Sequence, residues 1–316
     1  MRVVGLVAFR NEEPYVPYLL ASLLPLVDHV VALDDRSTDG GPDLFRDAGV
    51  AVITGPSGLT FGGRRQLLLQ EGRRAAGTHF VVVDADEAFD AQFSQRGRRV
   101  IEELAPGQAL AFPFRTLWKG WTRYRIGREY DLPLTCAFRD DSVSTYEDTF
   151  IHESRLPRRI AASCRRLRSD EGSMVHFQFA AWHRAQVKQA WYRCNEYLRG
   201  KVAMRVNARY LFTLDGPRVR TRPVEPETLA HLPPMNPLAD LPPSWHLEEI
   251  LTWFDRYGPN HFEALQIWHV GELREAFVAT EEREPHPSRV APPFVRILED
   301  AYGSARALTR RAIRRR

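Results

Sequence analysis

A chain of 316 residues with 44 Lys and Arg against 40 Asp and Glu carries a mild formal charge of +4. Much of that excess sits in the last turn of the chain, so a nucleic-acid footprint over the whole surface is excluded. Three cysteines, Cys136, Cys164 and Cys194, show no CxxC spacing. That argues against a disulfide framework or a zinc ribbon and for a reducing cytoplasm.

The opening "MRVVGLVAFRNEE" reaches charge too soon for a signal peptide. The most apolar stretch, "YLLASLLPLVDHVVAL", is cut by Pro25, Asp28 and His29, so no membrane span is expected. Val3–Phe9 is a continuous apolar run, as in a strand buried on both faces. A helical pattern starts near Pro14, with Tyr15, Tyr18, Leu19 and Ser22–Leu23 at helical spacing. His29–Leu33 reads as a second strand. Thr38–Asp39 can cap a helix running through Asp43 to Ala48. Ala51–Thr54 reads as a third strand, Gly63 to Arg74 as a helix and Phe80–Val83 as a fourth strand. Such alternation implies a parallel sheet with right-handed crossovers. The expected fold class is therefore α/β, a mostly parallel sheet flanked by helices.

Ligands of such sheets bind beyond the carboxyl ends of the strands. Those ends read "FRNEE", "DDRSTDGG" and "DADE". In the last, Asp84 and Asp86 flank the small Ala85 and point to one side if the segment is extended. Two carboxylates held together repel unless a cation lies between them or one takes a proton. Oxygen ligands suit Mg²⁺ or Mn²⁺, which keep positions open for a diphosphate. The plainer alternative is a strand followed by a solvated acidic turn.

"VAFRNEE", "VVALDDRSTDGG" and "GTHFVVVDADE", in this order, resemble the nucleotide-sugar domain of family 2 glycosyltransferases with the Rossmann-like GT-A fold. The likeness covers about the first 90 residues. It continues more weakly through "TYEDTFIHESRL" and "GSMVHFQFAAW", which resemble segments of bacterial relatives that decorate polysaccharides and lipopolysaccharide cores. The resemblance implies a nucleoside-diphosphate sugar as donor, a Mg²⁺ or Mn²⁺ cofactor and a glycan, lipid-linked or small-molecule acceptor. It assigns Asp35 to the nucleobase or ribose and places Arg10 and Glu12 on the loop bordering the base. Asp84 and Asp86 match the DxD motif, with Asp86 favoured for direct metal contact. Arg64 or Arg65 falls where the family places a basic residue near base or diphosphate, and a helix N-terminus there also favours an anion. The family commonly has proline and a small residue near Ala8–Phe9, so the base pocket is expected to differ here. Asp35 could instead be a turn residue and Arg10 a cap on the sheet edge.

"QALAFPFRTLWKGW" and "LPLTCAFRD" read as strands on the acceptor side. Inverting transfer needs a carboxylate to take the acceptor proton. The candidates are Glu147, Asp148 and Glu153. Glu153 matches the family's "HE" segment and is preferred, while Glu147–Asp148 mimics the more usual "ED" pair. The resemblance also puts a metal-completing histidine at His176, which could otherwise be a core residue. His152 could only shape its loop.

A long helix is expected from Ala181 to about Val206. Residues 215–243 are crowded with proline and read as an extended wrapping segment. Helices follow around Leu247–Phe254 and over "HFEALQIWHVGELREAF". The expected division is 1–214, with a nucleotide-sugar half (1–90) and an acceptor half (91–214), then 215–316 as a helical C-terminal extension. The closing helix ends in Arg310, Arg311 and Arg314–Arg316, which suit the helix dipole or an anionic membrane surface. The expected location is the cytoplasm, with the inner face of the membrane as a peripheral site. A non-catalytic nucleotide-sugar binding protein is the rival function. A DxD phosphatase fits less well, because here Ala88 lies two residues after the second Asp and βα units precede the motif.

Overall fold

The computed structural model describes residues 1–127, 130–147, 154–160, 163–210, 219–238, 241–242 and 244–288. In chain order come β1 (Val3–Phe9), α1 (Val16–Leu23), β2 (His29–Asp34), α2 (Gly41–Asp47), β3 (Ala51–Thr54), α3 (Phe61–Arg74), β4 (His79–Asp84), β5 (Glu87–Phe89) and α4 (Ala91–Glu102). Then follow β6 (Gln108–Phe112), β7 (Phe114–Thr116), β8 (Arg123–Ile126), β9 (Leu134–Arg139), β10 (Ser163–Arg166) and β11 (Met174–His176). After these come α5 (Trp182–Leu198), α6 (Ala203–Tyr210), β12 (Arg220–Pro223), α7 (Pro226–Leu229), α8 (Trp245–Tyr257) and α9 (Gly271–Glu281).

The chain packs as two compact units, residues 1–180 with 220–241, and residues 181–219 with 242–316. This division falls elsewhere than at 214/215. The proline-rich segment is shared between the units. Its stretch 220–241 returns to the first, where the Asn236 amide donates to the Tyr18 hydroxyl at 2.8 Å and the Trp121 indole donates to the Asn236 carbonyl at 3.2 Å.

The first unit is built on a seven-stranded sheet of order β10-β6-β9-β4-β1-β2-β3. β4, β1, β2 and β3 run parallel, whereas β9 is antiparallel to both β4 and β6. The apolar runs explain the burial of both faces. Val3, Val7, Val30, Ala32, Val81 and Val83 join one core, to which α1 and α4 contribute Leu19, Leu23, Phe93 and Ile101. The alternate residues Val4, Leu6, Val31, Leu33, Phe80 and Val82 join another, with Leu68 and Leu69 of α3. The mixed α/β architecture, mostly parallel at its centre and flanked by helices, is the GT-A fold expected from the sequence.

A second sheet of three strands, β5-β11-β7, was not foreseen. β11 runs antiparallel to β5 with His176 opposite Glu87, and parallel to β7 with His176 opposite Thr116.

The second unit is helical. Val187, Ala190 and Cys194 of α5 pack with Val206 of α6, Ile250 and Phe254 of α8, and Leu273 and Phe277 of α9. The helix expected over 181–206 is two helices, because Gly200 takes a φ of 82° between them. The one expected over "HFEALQIWHVGELREAF" is a 3₁₀ turn, Pro259–Phe262, followed by α9.

Candidate active site

The carboxyl ends of β1, β2 and β4 meet along one edge of the sheet. Two of the loops are stitched together. The Asn11 amide donates to the Ser37 hydroxyl at 3.0 Å, and the Thr38 amide donates to the Asn11 side-chain carbonyl at 2.6 Å. The Glu13 amide donates to Asp39 at 2.9 Å, and Glu13 in return accepts the Gly40 amide at 2.9 Å. Asp39 also accepts the Gly41 amide at 3.1 Å, at the start of α2. Asn11 and Arg36 both hold positive φ, 52° and 59°, so the loops turn sharply as they leave their strands. The Glu12 carbonyl accepts the amides of Tyr15 and Val16 and so opens α1.

Asp35 lies just past β2, its amide bonded to the Phe9 carbonyl at 2.9 Å. Its carboxylate pairs with Arg64 at 2.7 Å; the Asp35 side chain is 9% exposed and that of Arg64 24%. Burial lowers the Arg64 pKa more than Asp35 raises it, and Arg10 and Arg36 nearby lower it further. Arg10 therefore adds its charge to the same corner. Arg64 also lies over the Phe61 ring, 5.4 Å from its centroid. Arg64 closes the first turn of α3 and Arg65 follows it; Thr60 caps the helix by accepting the Gly63 amide at 2.9 Å.

Consecutive arginines thus reach two different strand ends. Arg64 serves Asp35, and Arg65 reaches Asp84 at the end of β4, at 3.2 Å. There "DADE" forms a turn between β4 and β5. The Asp84 amide donates to the Glu87 carboxylate at 3.0 Å, which closes the turn. Glu87 is fully buried. Arg155 donates to both oxygens of Glu87, at 2.6 Å to Oε2, and to Asp84 at 2.7 Å. Burial pushes the Glu87 pKa up more than Arg155 draws it down. Burial also disfavours the Arg155 charge, but Asp84 and then Glu87 more than offset it and hold its pKa well above the ordinary value.

Arg155 is the residue that sequence reasoning missed. It directly follows the "HES" that was singled out, and no local signal ties it to acids 68 and 71 positions earlier. A buried Glu87 was the available clue, since an ionised side chain at the end of an apolar strand requires a counter-charge.

His176 reaches the same place from β11. Its Nε2 lies 3.3 Å from Asp86 Oδ2, and both side chains are largely buried. The Phe177 amide donates to the Asp86 carbonyl at 2.9 Å, which fixes the two segments against each other. A divalent cation fits this pair. Neighbouring ligands at about 2.1 Å around an octahedral ion are about 3 Å apart, close to the observed separation. An oxygen and an imidazole nitrogen suit Mn²⁺, and the oxygen suits Mg²⁺. No group of three His, Cys, Asp or Glu is gathered for a metal among the described residues. Further ligands would come from a diphosphate and water.

Asp148, His152 and Glu153 lie outside the described residues. Glu147 is described and pairs with Arg158 at 2.7 Å on the surface.

Residues 6–167 match the profile of glycosyl transferase family 2. The chain belongs to this family. Among solved structures, S. aureus TarS is similar at 17% identity over 67% of this chain and 43% of that one, with a TM-score of 0.41. TarS 1–349 in complex with UDP-GlcNAc is 19% identical over 55% of this chain and 58% of that one, with a TM-score of 0.37. Glucosyl-3-phosphoglycerate synthase from M. tuberculosis, in complex with Mn²⁺ and UDP-glucose, is 22% identical over 28% of this chain and 34% of that one, with a TM-score of 0.24. The chain spans less than two thirds of the length of each of these. No curated protein matches the sequence. No helix among the described residues is long and apolar enough to cross a membrane.

Proposed function

We propose that this family 2 member transfers a sugar from a nucleoside-diphosphate sugar to an acceptor hydroxyl, with inversion at the anomeric carbon. The observation that carries the reading is the bracket made by α3. Arg64 meets Asp35 at the end of β2 and Arg65 meets Asp84 at the end of β4, with β1 between them and Asp86 and His176 beside Asp84. A nucleoside at the first, a diphosphate along the helix N-terminus and a cation at the last follow the same line.

Asp35 accepts hydrogen bonds from the nucleoside, with Arg10 and Glu12 on the bordering loop. Arg64 and Arg65 draw in the diphosphate by charge. Asp86 and His176 hold Mg²⁺ or Mn²⁺, with Asp84 beside them. When bound, the cation offsets the negative charge of the departing diphosphate. Glu153, or else Asp148, takes the proton of the acceptor hydroxyl. The acceptor oxygen then forms its bond to the anomeric carbon as the bond to the diphosphate breaks. The resemblance favours a bacterial polysaccharide or lipopolysaccharide-core type of acceptor, glycan or lipid-linked. The arginines that close the chain suit contact with the inner face of an anionic membrane, with the protein otherwise in the cytoplasm.

A thermal-shift panel of UDP, GDP and dTDP sugars with and without Mn²⁺ tests the reading. One nucleotide series is expected to stabilise the protein, more so with Mn²⁺, and Asp86→Ala to abolish that increment while the fold stays intact. Release of the nucleoside diphosphate, with an inverted product seen by NMR, completes the test. Binding without turnover on any acceptor would reduce the protein to a nucleotide-sugar binder, and no stabilisation by any sugar nucleotide would remove the reading.

A further inference from the structure

"DADE" places three carboxylates in four positions, and two guanidinium groups answer two of them, Asp84 and Glu87. Arg155 spans Asp84 at 2.7 Å and Glu87 at 2.6 Å, and Arg65 takes the other oxygen of Asp84 at 3.2 Å. The side chains of Glu87, Arg65 and Arg155 are 0%, 7% and 10% exposed, whereas 39% of Asp84 is open. Arg155 is also held from behind. The Tyr146 hydroxyl donates to its carbonyl at 2.8 Å, and Tyr146 in turn donates its amide to Gln66 of α3 at 2.8 Å. Leu156 and Ile160, just beyond, sit in the core beside Phe80 and Phe138. Cys136 and Met174 present sulfur to the guanidinium at 3.5 and 3.8 Å.

A buried ion cluster of this kind is a weak source of stability, because desolvation consumes most of the Coulombic gain. Its place next to Asp86 suggests another use. Left uncompensated, Asp84, Asp86 and Glu87 would form an oxygen-rich cage for any hard cation, with or without nucleotide. The same negative charge would oppose an incoming diphosphate. We propose that Arg155, assisted by Arg65, is a positioning residue that withholds Asp84 and Glu87 from the cation. Among the described residues, Asp86 and His176 are then what the protein contributes to the sphere, and the cation binds firmly only when a diphosphate brings further oxygens. Cation and nucleotide thereby depend on each other, and such coupling is reciprocal. The inference rests on the reading of Asp86 and His176 as the cation-holding pair.

The test is a titration of the full chain with Mn²⁺ alone, free Mn²⁺ being read by electron paramagnetic resonance. The parent is expected to bind Mn²⁺ alone weakly. Arg155→Gln is expected to bind it at least about tenfold more tightly, since it removes a positive charge a few ångströms from the cation's place in a poorly solvated setting. Arg155→Lys, which keeps the charge, stays near the parent. Arg155→Gln with Glu87→Gln, which removes a carboxylate together with the cation, returns towards the parent. A purely structural Arg155 predicts lower stability in all three variants and no gain in Mn²⁺ affinity, and that result overturns the inference. Should Arg155→Gln fail to fold, Arg65→Gln is expected to shift Mn²⁺ affinity the same way by a smaller factor, and no shift there overturns it too. Because nucleotide is absent, these outcomes are separate from the sugar-nucleotide panel. If no sugar nucleotide binds the parent, with or without Mn²⁺, the functional reading fails on its own.

Discussion

Asp35 and Asp84 both lie at the end of a parallel strand, and both meet an arginine from near the start of α3. Their surroundings differ. Asp35 pairs with Arg64, which is itself a quarter exposed. Asp84 belongs to a cluster with Glu87, Arg65 and Arg155 that is mostly out of water. A single pair at the edge of a cleft can part to admit a ligand, because water and the ligand's own groups replace what is lost. A four-membered buried cluster cannot, because each charge left behind lacks a partner. On the proposed reading, the end that takes the nucleoside is therefore built to exchange contacts, and the end that takes the cation to hold its shape.

The sharpest way to break this comparison is at Glu87. Glu87→Ala leaves Arg155 with half of its counter-charge and opens a hole beneath β5. It should cost about 3–5 kcal/mol of stability, the range for breaking a buried pair, as read by denaturant unfolding. A cost no larger than that of Asp35→Ala would mean that the two ends are alike.

Next in size is the proposed acceptor side, where a carboxylate base would act on the acceptor in the transition state and not on donor binding. Glu153→Gln is expected to lower turnover about 10²-fold or more while donor affinity stays near the parent value. Asp148→Asn should be milder. The reverse ranking in single-turnover assays would move the base to "YED".

Asp35→Ala tests the exchangeable end directly. It should weaken nucleotide binding by about 1.5–3 kcal/mol, the range for hydrogen bonds to a charged group, and should do so with or without Mn²⁺. Calorimetry showing equal affinity for mutant and parent would take Asp35 out of the nucleoside site.

What could be read from the sequence follows the same division. Asp35, Asp84 and Asp86 stand out because each ends an apolar run, and a buried strand that stops in acids marks the functional edge of a parallel sheet. The four central strands are legible for the same reason, being apolar on both faces. Arg155 is not legible, because its partners are joined to it by folding and not by spacing. His176 could be pointed to only by family resemblance. Its apolar neighbours Val175 and Phe177 read as core, and the β5–β11 pairing that carries it to Asp86 involves strands of three residues each. The return of residues 220–241 to the first unit was equally hidden, since proline excludes regular elements without saying where the chain goes.

The smallest effect is a control from the opposite edge of the same sheet, where no ligand is proposed. Asp28 accepts the Val3 amide at 2.8 Å and takes both its oxygens to Arg98 at 2.8 Å, near the starts of β1 and β2. Its burial is slight and acts to raise the pKa, but the Val3 amide and then Arg98 outweigh it and hold the carboxyl below its ordinary value of 3.8. A carboxylate whose pKa is depressed by folding contributes stability above the unfolded pKa, and loses it as pH falls through the folded value. The two side chains are 36% and 31% exposed, so water and salt screen the pair and its contribution is within about 1 kcal/mol. Asp28→Asn keeps an oxygen for Val3 and loses the charge. Its melting temperature should lie slightly below the parent's at pH 7, and the gap should narrow as pH falls below about 4, where the parent's Asp28 also begins to lose its charge. The gap should shrink with added salt as well. A deficit that stays constant from pH 7 to pH 3 would show that Asp28 acts through shape and not charge. The pair would then no longer serve as the charged but ligand-free reference against which the two ends of the site are compared.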